Sequence, residues 1–357
     1  MPQVSTALII GIGDLGERLA AGLASTGRVR RLVLASRSAA AVTAAAVTVA
    51  SAYDCLVEPV TCDATRPENV AALLTRTRPD LVIQCAAGRG PWALAGRDDA
   101  AARAVAAAGL ALRLPYQLPV LLAVMRAVRD TGYAGPVANV SLPDVTGPIL
   151  ARLGLAPTIG LGNVSMMLLR VRAALRSAEP DGELPLVRVI GHHSQLLGVM
   201  QAQEPADPGA RCRVYVGEDG RQDDGLGYQA PALAPSIRYN QVTAAAAVPV
   251  LQALLPESAP LRWSAPAPAG LPGGYPVRIA GGSVSLDLPP RTGRDEAIAF
   301  NEQMAHADGV ERIDEDGTVH FTAACQDAVA SLDPHLAAPL PVSDLQSRAA
   351  RLDAALA

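Results

Sequence analysis

Three features of the 357-residue chain predict an α/β fold built from two domains. Short apolar runs alternate with helix-spaced stretches as far as about Val140, as in a doubly wound parallel sheet. A glycine turn separates the first run from the first helix. Beyond Asp144 the pattern changes to helices, short strands and Pro/Gly-rich connections, which reads as α+β. The expected division is residues 1–143 for the first domain and 144–357 for the second.

The first domain's expected strands are Ala7 to Ile10, Leu32 to Ala35, Leu56 to Val60, Leu81 to Cys85 and Val137 to Val140. Its helices are Asp14 to Thr26, Ala39 to Ala50, Pro67 to Thr77 and Arg97 to Thr131, the last interrupted near Gly109 and Pro115. Pro67 stands in a first helical turn and Gly132 just past a last one, the usual capping asymmetry. In the second domain, helices are expected at Val164 to Arg176, Ser236 to Leu255, Arg294 to His306 and Leu345 to Leu356. Strands are expected at Leu186 to Ile190, Arg211 to Val216, Ser283 to Leu288, Val310 to Ile313 and Thr318 to Thr322. Pro256 to Pro276 reads as a long surface connection.

The glycine turn is Gly11-Ile12-Gly13-Asp14-Leu15-Gly16. Its first glycine permits the tight turn, the second lets a pyrophosphate approach the backbone, and the third lets helix and strand pack closely. The helix start directs N–H groups at the anion. These features define a Rossmann dinucleotide-binding domain, with Gly11, Gly13, Asp14, Leu15 and Gly16 as cofactor contacts. Ala86, after the fourth strand, is another. The second strand ends in Ser36-Arg37, where NAD-binding chains carry an acidic residue, so NADP is expected over NAD. Asp63 follows the third strand and either approaches the adenine or caps the Pro67 helix.

All 30 basic residues are arginine. The absence of lysine excludes a Schiff base, a pyridoxal phosphate anchor, a P-loop lysine and a Tyr-x-x-x-Lys pair. A net charge of −4 argues against nucleic acid or anionic membrane as main partners. No apolar run approaches the ~20 residues that cross a bilayer. Met1-Pro2-Gln3 shows no secretory signal, so a cytoplasmic location is expected. The five cysteines have no C-x-x-C spacing and suit reduced core thiols. His192 and His193 end an expected strand and project to opposite sides, and the other histidines are scattered, so no metal site is expected.

Beyond the fourth strand the order of features resembles the lactate/malate dehydrogenase family across most of the chain. The matching segments are the loop Ala86-Ala87-Gly88-Arg89-Gly90-Pro91-Trp92 running on to Arg97, the strand Val137-Ala138-Asn139, the helix Met166-Met167-Leu168-Leu169-Arg170 and the segment Gly191-His192-His193-Ser194. The resemblance implies that His193 exchanges the proton and Asn139 hydrogen-bonds the substrate oxygen. It implies that Arg170 grips a substrate carboxylate with two prongs, and that Arg97, with Arg89 as a further candidate, arrives on a closing loop. Read without the resemblance, Arg170 is a structural salt-bridge residue and Arg97 part of a solvated helix start. The chain departs from the family at Met167, which stands where the aspartate partner of the histidine belongs. Asp144 and Glu204 are the nearest carboxylates in sequence, and neither is assigned that role.

The resemblance thus implies an NADP-dependent oxidoreductase acting on a small, anionic carbonyl or 2-hydroxy-acid-like compound, and a homodimer. The missing aspartate keeps two alternatives open. One is an imine (C=N) reductase of the opine/imine type, and the other is a non-catalytic NADP-binding protein.

Overall fold

The computed structural model describes residues 5–357, so the opening Met1-Pro2-Gln3 lies outside the described residues. Six parallel strands form the central sheet: β1 (Thr6–Ile10), β2 (Arg31–Ser36), β3 (Leu56–Thr61), β4 (Leu81–Gln84), β5 (Val137–Asn139) and β6 (Ile159–Gly160). Their order is β3-β2-β1-β4-β5-β6. The chain runs outward from β1 on one side and from β4 on the other, which leaves a crevice at the carboxyl ends of these two strands. β1 and β4 are buried on both faces, so they read as continuous apolar runs. β3 is the partly exposed edge, where Pro59 is tolerated.

Helices α1 (Asp14–Ser25), α2 (Ala39–Ala52) and α3 (Pro67–Thr77) follow the first three strands. The stretch expected to be one interrupted helix from Arg97 to Thr131 divides into α4 (Ala100–Ala107), a single 3₁₀ turn over Leu110–Arg113, and α5 (Leu114–Thr131). Asp99 caps α4 by accepting the Ala102 N–H. Gly109 ends the first segment at φ +88 and ψ 167, a conformation reserved for glycine. The stretch Leu110–Thr131 is long and apolar enough to cross a membrane, but 78% of its apolar 18-residue window is buried inside the fold. It is a core helix.

After β5 come α6 (Pro143–Arg152), β6, α7 (Val164–Ala178), β7 (Val187–Ile190) and α8 (His193–Gln201). The sixth strand of the central sheet therefore lies beyond residue 143. β8 (Arg213–Val216) and β9 (Arg221–Gln222) join β7 in an antiparallel sheet, and α9 (Tyr239–Leu254) packs on α1. Another antiparallel sheet contains β10 (Leu261–Pro266), β11 (Gly274–Ala280) and β12 (Ser283–Leu286). The reading of Pro256 to Pro276 as a surface connection is corrected here. β10 pairs with β11 from Leu261 against Ile279 to Pro266 against Gly274. Trp263 through Pro266 are buried, and the Ser264 hydroxyl accepts the Val189 N–H. Covered on both faces and rich in small residues and proline, this strand shows no alternation in sequence.

The chain ends in α10 (Arg294–Ala305), β13 (Val310–Ile313), β14 (Val319–Phe321), α11 (Ala323–Val329) and α12 (Leu345–Ala355). β1 divides the core by its period of two. Ala7 and Ile9 pack into a layer shared with α1, α2, α7 and α9. Leu8 and Ile10 face a layer shared with α3, α5 and the C-terminal residues Val319, Phe321 and Leu352. The last segment thus returns to the central sheet, bringing Asp308 between α10 and β13 up against Gly109. A Cβ on Gly109 would strike the Asp308 backbone, and one on Gly309 (φ +92) would strike the Ala108 carbonyl. Two facing glycines thus let the segments touch.

Candidate functional site

A cleft of about 940 Å³ opens at the carboxyl ends of β1 and β4 and runs to the N-terminus of α8. At one end lies the glycine turn. Gly11 has φ +102, and a Cβ there would strike the Ala86 backbone. A Cβ on Gly16 would strike the Gly11 carbonyl, whereas one on Gly13 meets no atom within 4 Å. Two glycines are therefore set by packing, while the middle one leaves backbone bare toward the cleft. That arrangement fits a pyrophosphate at the start of α1. Leu15, Ser36, Arg37 and Ala86 also line the cleft, with Arg37 exposed at the end of β2.

Two acids at this end are occupied by neighbours. Asp14 pairs with Arg18 at 2.9 Å and accepts the Asn240 Nδ2–H at 2.8 Å, linking α1 to α9. The Arg18 contact holds its carboxyl below the ordinary value. Asp63 also lines the cleft. It accepts the Thr65 hydroxyl at 2.7 Å and the Thr65 N–H at 3.1 Å, bonds that lower its pKa. This organises the turn before α3, whose own N-cap is Arg66.

At the other end, β7 stops at Ile190 and His192 becomes the N-cap of α8. The expectation that the two histidines project to opposite sides of a strand is corrected. His193 Nδ1 lies 2.9 Å and 3.1 Å from the two carboxylate oxygens of Asp308. His192 Nδ1 lies 3.4 Å from the same carboxylate and accepts the Ser194 N–H. The His193 N–H donates to Asp144 at 2.6 Å, an anion placed at a helix start.

The electrostatics separate the two rings. Burial pushes His193 downward, but the charge and hydrogen bond of Asp308 outweigh it, and its pKa rises above 6.5. His192 is fully buried, and there desolvation wins and favours the neutral ring. Burial also raises Asp144. For Asp308 the histidines prevail over burial and bring its pKa below 3.8. The His193 side chain keeps 28% exposure, against 6% for Asp308. Nδ1 is committed to the carboxylate, which leaves Nε2 on the far side of the ring for a reactant.

Met167 is fully buried, and a Cβ on Gly191 would lie 3.1 Å from its sulfur. The carboxylate absent from α7 is thus supplied by Asp308, 115 residues beyond His193 in the chain. Sequence reasoning missed Asp308 because no local pattern marks a contact of that separation. Glu204 is instead paired with Arg211 at 2.5 Å.

Several residues named from the sequence lie outside this cluster. Asn139 is buried and organises the turn after β5, its oxygen accepting the Ser141 N–H while its amide donates to Ser141 O and Thr146 Oγ1. Arg170 projects from α7 to the Pro231 carbonyl and does not line the cleft. Arg97 pairs with Asp99 at 2.7 Å and donates to the Leu356 carbonyl, while Arg89 pairs with Asp353 at 2.8 Å. Both loop arginines are therefore tied to the C-terminal end of the chain. The arginine that lines the cleft near His193 is Arg113, at the join between the 3₁₀ turn and α5. Its signal in the sequence was a basic residue beside the break that Gly109 and Pro115 announce. Among the described residues, no group of three or more His, Cys, Asp or Glu side chains is arranged to hold a metal ion. Cys85 borders the cleft with its thiol pushed up to about 12 by burial.

The order of the parallel sheet, the glycine turn after β1 and the added antiparallel sheets define a protein of the lactate/malate dehydrogenase fold. Comparison with solved structures agrees. The chain is similar to malate dehydrogenase from Plasmodium falciparum, with a TM-score of 0.53 and 10% identity over 92% of this chain and 99% of the other. It is similar to a lactate dehydrogenase from a Medee basin deep-sea metagenome library, with a TM-score of 0.52 and 13% identity over 85% and 97% of the two chains. The lactate dehydrogenase from Cryptosporidium parvum, complexed with lactic acid and nicotinamide adenine dinucleotide, gives 0.52 and 16% over 86% and 98%. The KR domain profile matches residues 5–109, which run from the edge of β1 to the glycine facing Asp308. No curated protein matches the sequence.

Proposed function

We propose that this protein is an NADP-dependent oxidoreductase that reduces a carbonyl compound carrying an anionic group. The observation that carries the reading is the His193–Asp308 pair in the same cleft as the Gly11, Gly13 and Gly16 turn. The nicotinamide, when bound, supplies the hydride. His193 holds a proton at Nε2 and passes it to the substrate oxygen, and Asp308 accepts the Nδ1–H and stabilises the imidazolium before transfer. Asp144 and the His192 cap fix the start of α8 and hence the ring's position. Arg113 receives the anionic group, because it is the arginine lining the cleft near the dyad.

NADP is favoured over NAD by Ser36 and Arg37 at the end of β2, where a neutral residue followed by a guanidinium suits a 2′-phosphate. With Asp308 in place of the missing aspartate, carbonyl chemistry no longer lacks its carboxylate. Fluorescence titration with NADPH and NADH tests the cofactor. NADPH is expected to bind more tightly, by a margin that Arg37→Ala erases. Binding of neither nucleotide would refute the assignment. Carbonyl-dependent NADPH oxidation abolished by His193→Ala would support the chemistry, and turnover unchanged in that variant would exclude His193 as the proton donor.

A further inference from the structure

We infer that the substrate carries an apolar chain or ring beside its reacting carbonyl, and that this part lies on Leu197 and Ile237 in the wall of the cleft. The inference rests on the oxidoreductase reading. Five large apolar side chains are exposed among the described residues: Val47, Leu56, Leu197, Leu233 and Ile237. Single exposed leucines are ordinary, but here two of the five, Leu197 and Ile237, line the same cleft. Leu197 is on α8, four residues after His193 and so on the same helix face. Leu233 and Ile237 belong to the segment entering α9, which is held against α8 by the Leu233 N–H to Met200 carbonyl bond of 2.8 Å.

Leu197 and Ile237 are 51% and 52% exposed, and both line the cleft. Trp92, from the loop after β4, and Met166 line the same cleft, the Trp92 ring lying 5.8 Å from Tyr239 in an edge-to-face contact. No charged side chain comes from α7 to meet a second substrate carboxylate, because Arg170 is held by Pro231. The cleft that holds the proton donor thus presents two half-exposed apolar side chains, Leu197 and Ile237, and the guanidinium of Arg113. A ligand that spans His193 and Arg113 while covering Leu197 and Ile237 has an anionic end and an apolar end. The position of Leu197 on the helix face of His193, with Ile237 lining the same cleft, assigns the surface to the substrate.

The test is calorimetric binding of straight-chain 2-oxo acids to the protein saturated with oxidised NADP or NAD, where no turnover occurs. With the carboxylate held constant, affinity is expected to rise about fourfold per methylene from about three to about eight carbons. In the Leu197→Ser/Ile237→Ser variant, the affinity ratio between the longest and shortest acids is expected to fall by at least about tenfold. A flat series in the unaltered protein, no binding of any member, or an unchanged ratio in the variant would overturn the inference. Turnover with NADPH, followed in parallel, separates the two readings. A rising series without turnover upholds the apolar subsite and removes the oxidoreductase assignment, whereas turnover with a flat series does the reverse. A flat series together with dissociation of an oligomer in the variant would make the patch a subunit interface and overturn the subsite.

Discussion

Asp308→Asn keeps the shape of the side chain and removes its charge. In the native pair both carboxylate oxygens lie within 3.1 Å of His193 Nδ1, and Asp308 is almost wholly buried, so solvent screens the contact little. A hydrogen bond to a charged partner contributes about 1.5–3 kcal/mol, equivalent to about one to two pKa units for the imidazole. With the charge gone, burial acts on His193 against Asp144 alone among its neighbouring carboxylates, and the pKa falls. NMR titration of the His193 Cε1–H checks this without a substrate. In kinetics, the loss of kcat/KM for reduction is expected to be about 10- to 150-fold above the variant's pKa, with the basic limb moved to lower pH. The stability effect has a defined sign. The raised pKa of His193 contributes stability that is complete below pH 6.5 and lost as pH rises through the folded value. The lowered pKa of Asp308 contributes stability that is present above pH 3.8 and lost as pH falls through the folded value. The variant should therefore lose most stability between these pH values, and less at pH ~9. An unchanged His193 titration would refute the dyad.

Three further outcomes follow from the packing. Gly109→Ala forces an L side chain into a glycine conformation and against the Asp308 backbone, so denaturant unfolding should show a loss of at least about 1–3 kcal/mol. Activity should fall with it, because Asp308 is displaced; wild-type stability would contradict the close approach. Arg170→Ala should destabilise the fold with little change in KM, whereas Arg113→Met should raise KM for anionic substrates; the opposite ranking would restore Arg170 as the substrate clamp. Gly13→Val should weaken nucleotide binding at least about tenfold while thermal unfolding changes little, because its Cβ meets only open space; unweakened binding would place the pyrophosphate elsewhere.

The nucleotide half was legible because its signals are local. The strand-to-turn-to-helix order around Gly11, Gly13 and Gly16 is set by backbone freedom at adjacent residues, and α3 begins and ends where Pro67 and Thr77 were expected to place it. β10 escaped notice because a strand buried on both faces by Ser, Ala and Pro has no period to read. α8 was not expected at all, and His192 and His193 were read as a strand end, because a histidine N-cap is an unusual signal.

What the sequence determined by itself was the class of fold and the nucleotide-type turn, each resting on residues a few positions apart, while His193 became a candidate proton donor through the family resemblance in the order of segments. What only the tertiary structure decided was which charges reach that histidine. Arg170, Arg97 and Arg89 are turned toward Pro231, Leu356 and Asp353, while Arg113 and Asp308 meet the cleft. The carboxylate arrives 115 residues after its histidine because facing glycines let the Ala108–Gly109 and Asp308–Gly309 backbones touch. Local sequence sets backbone geometry, but a charge acts across space, and the partner it finds depends on how distant segments pack.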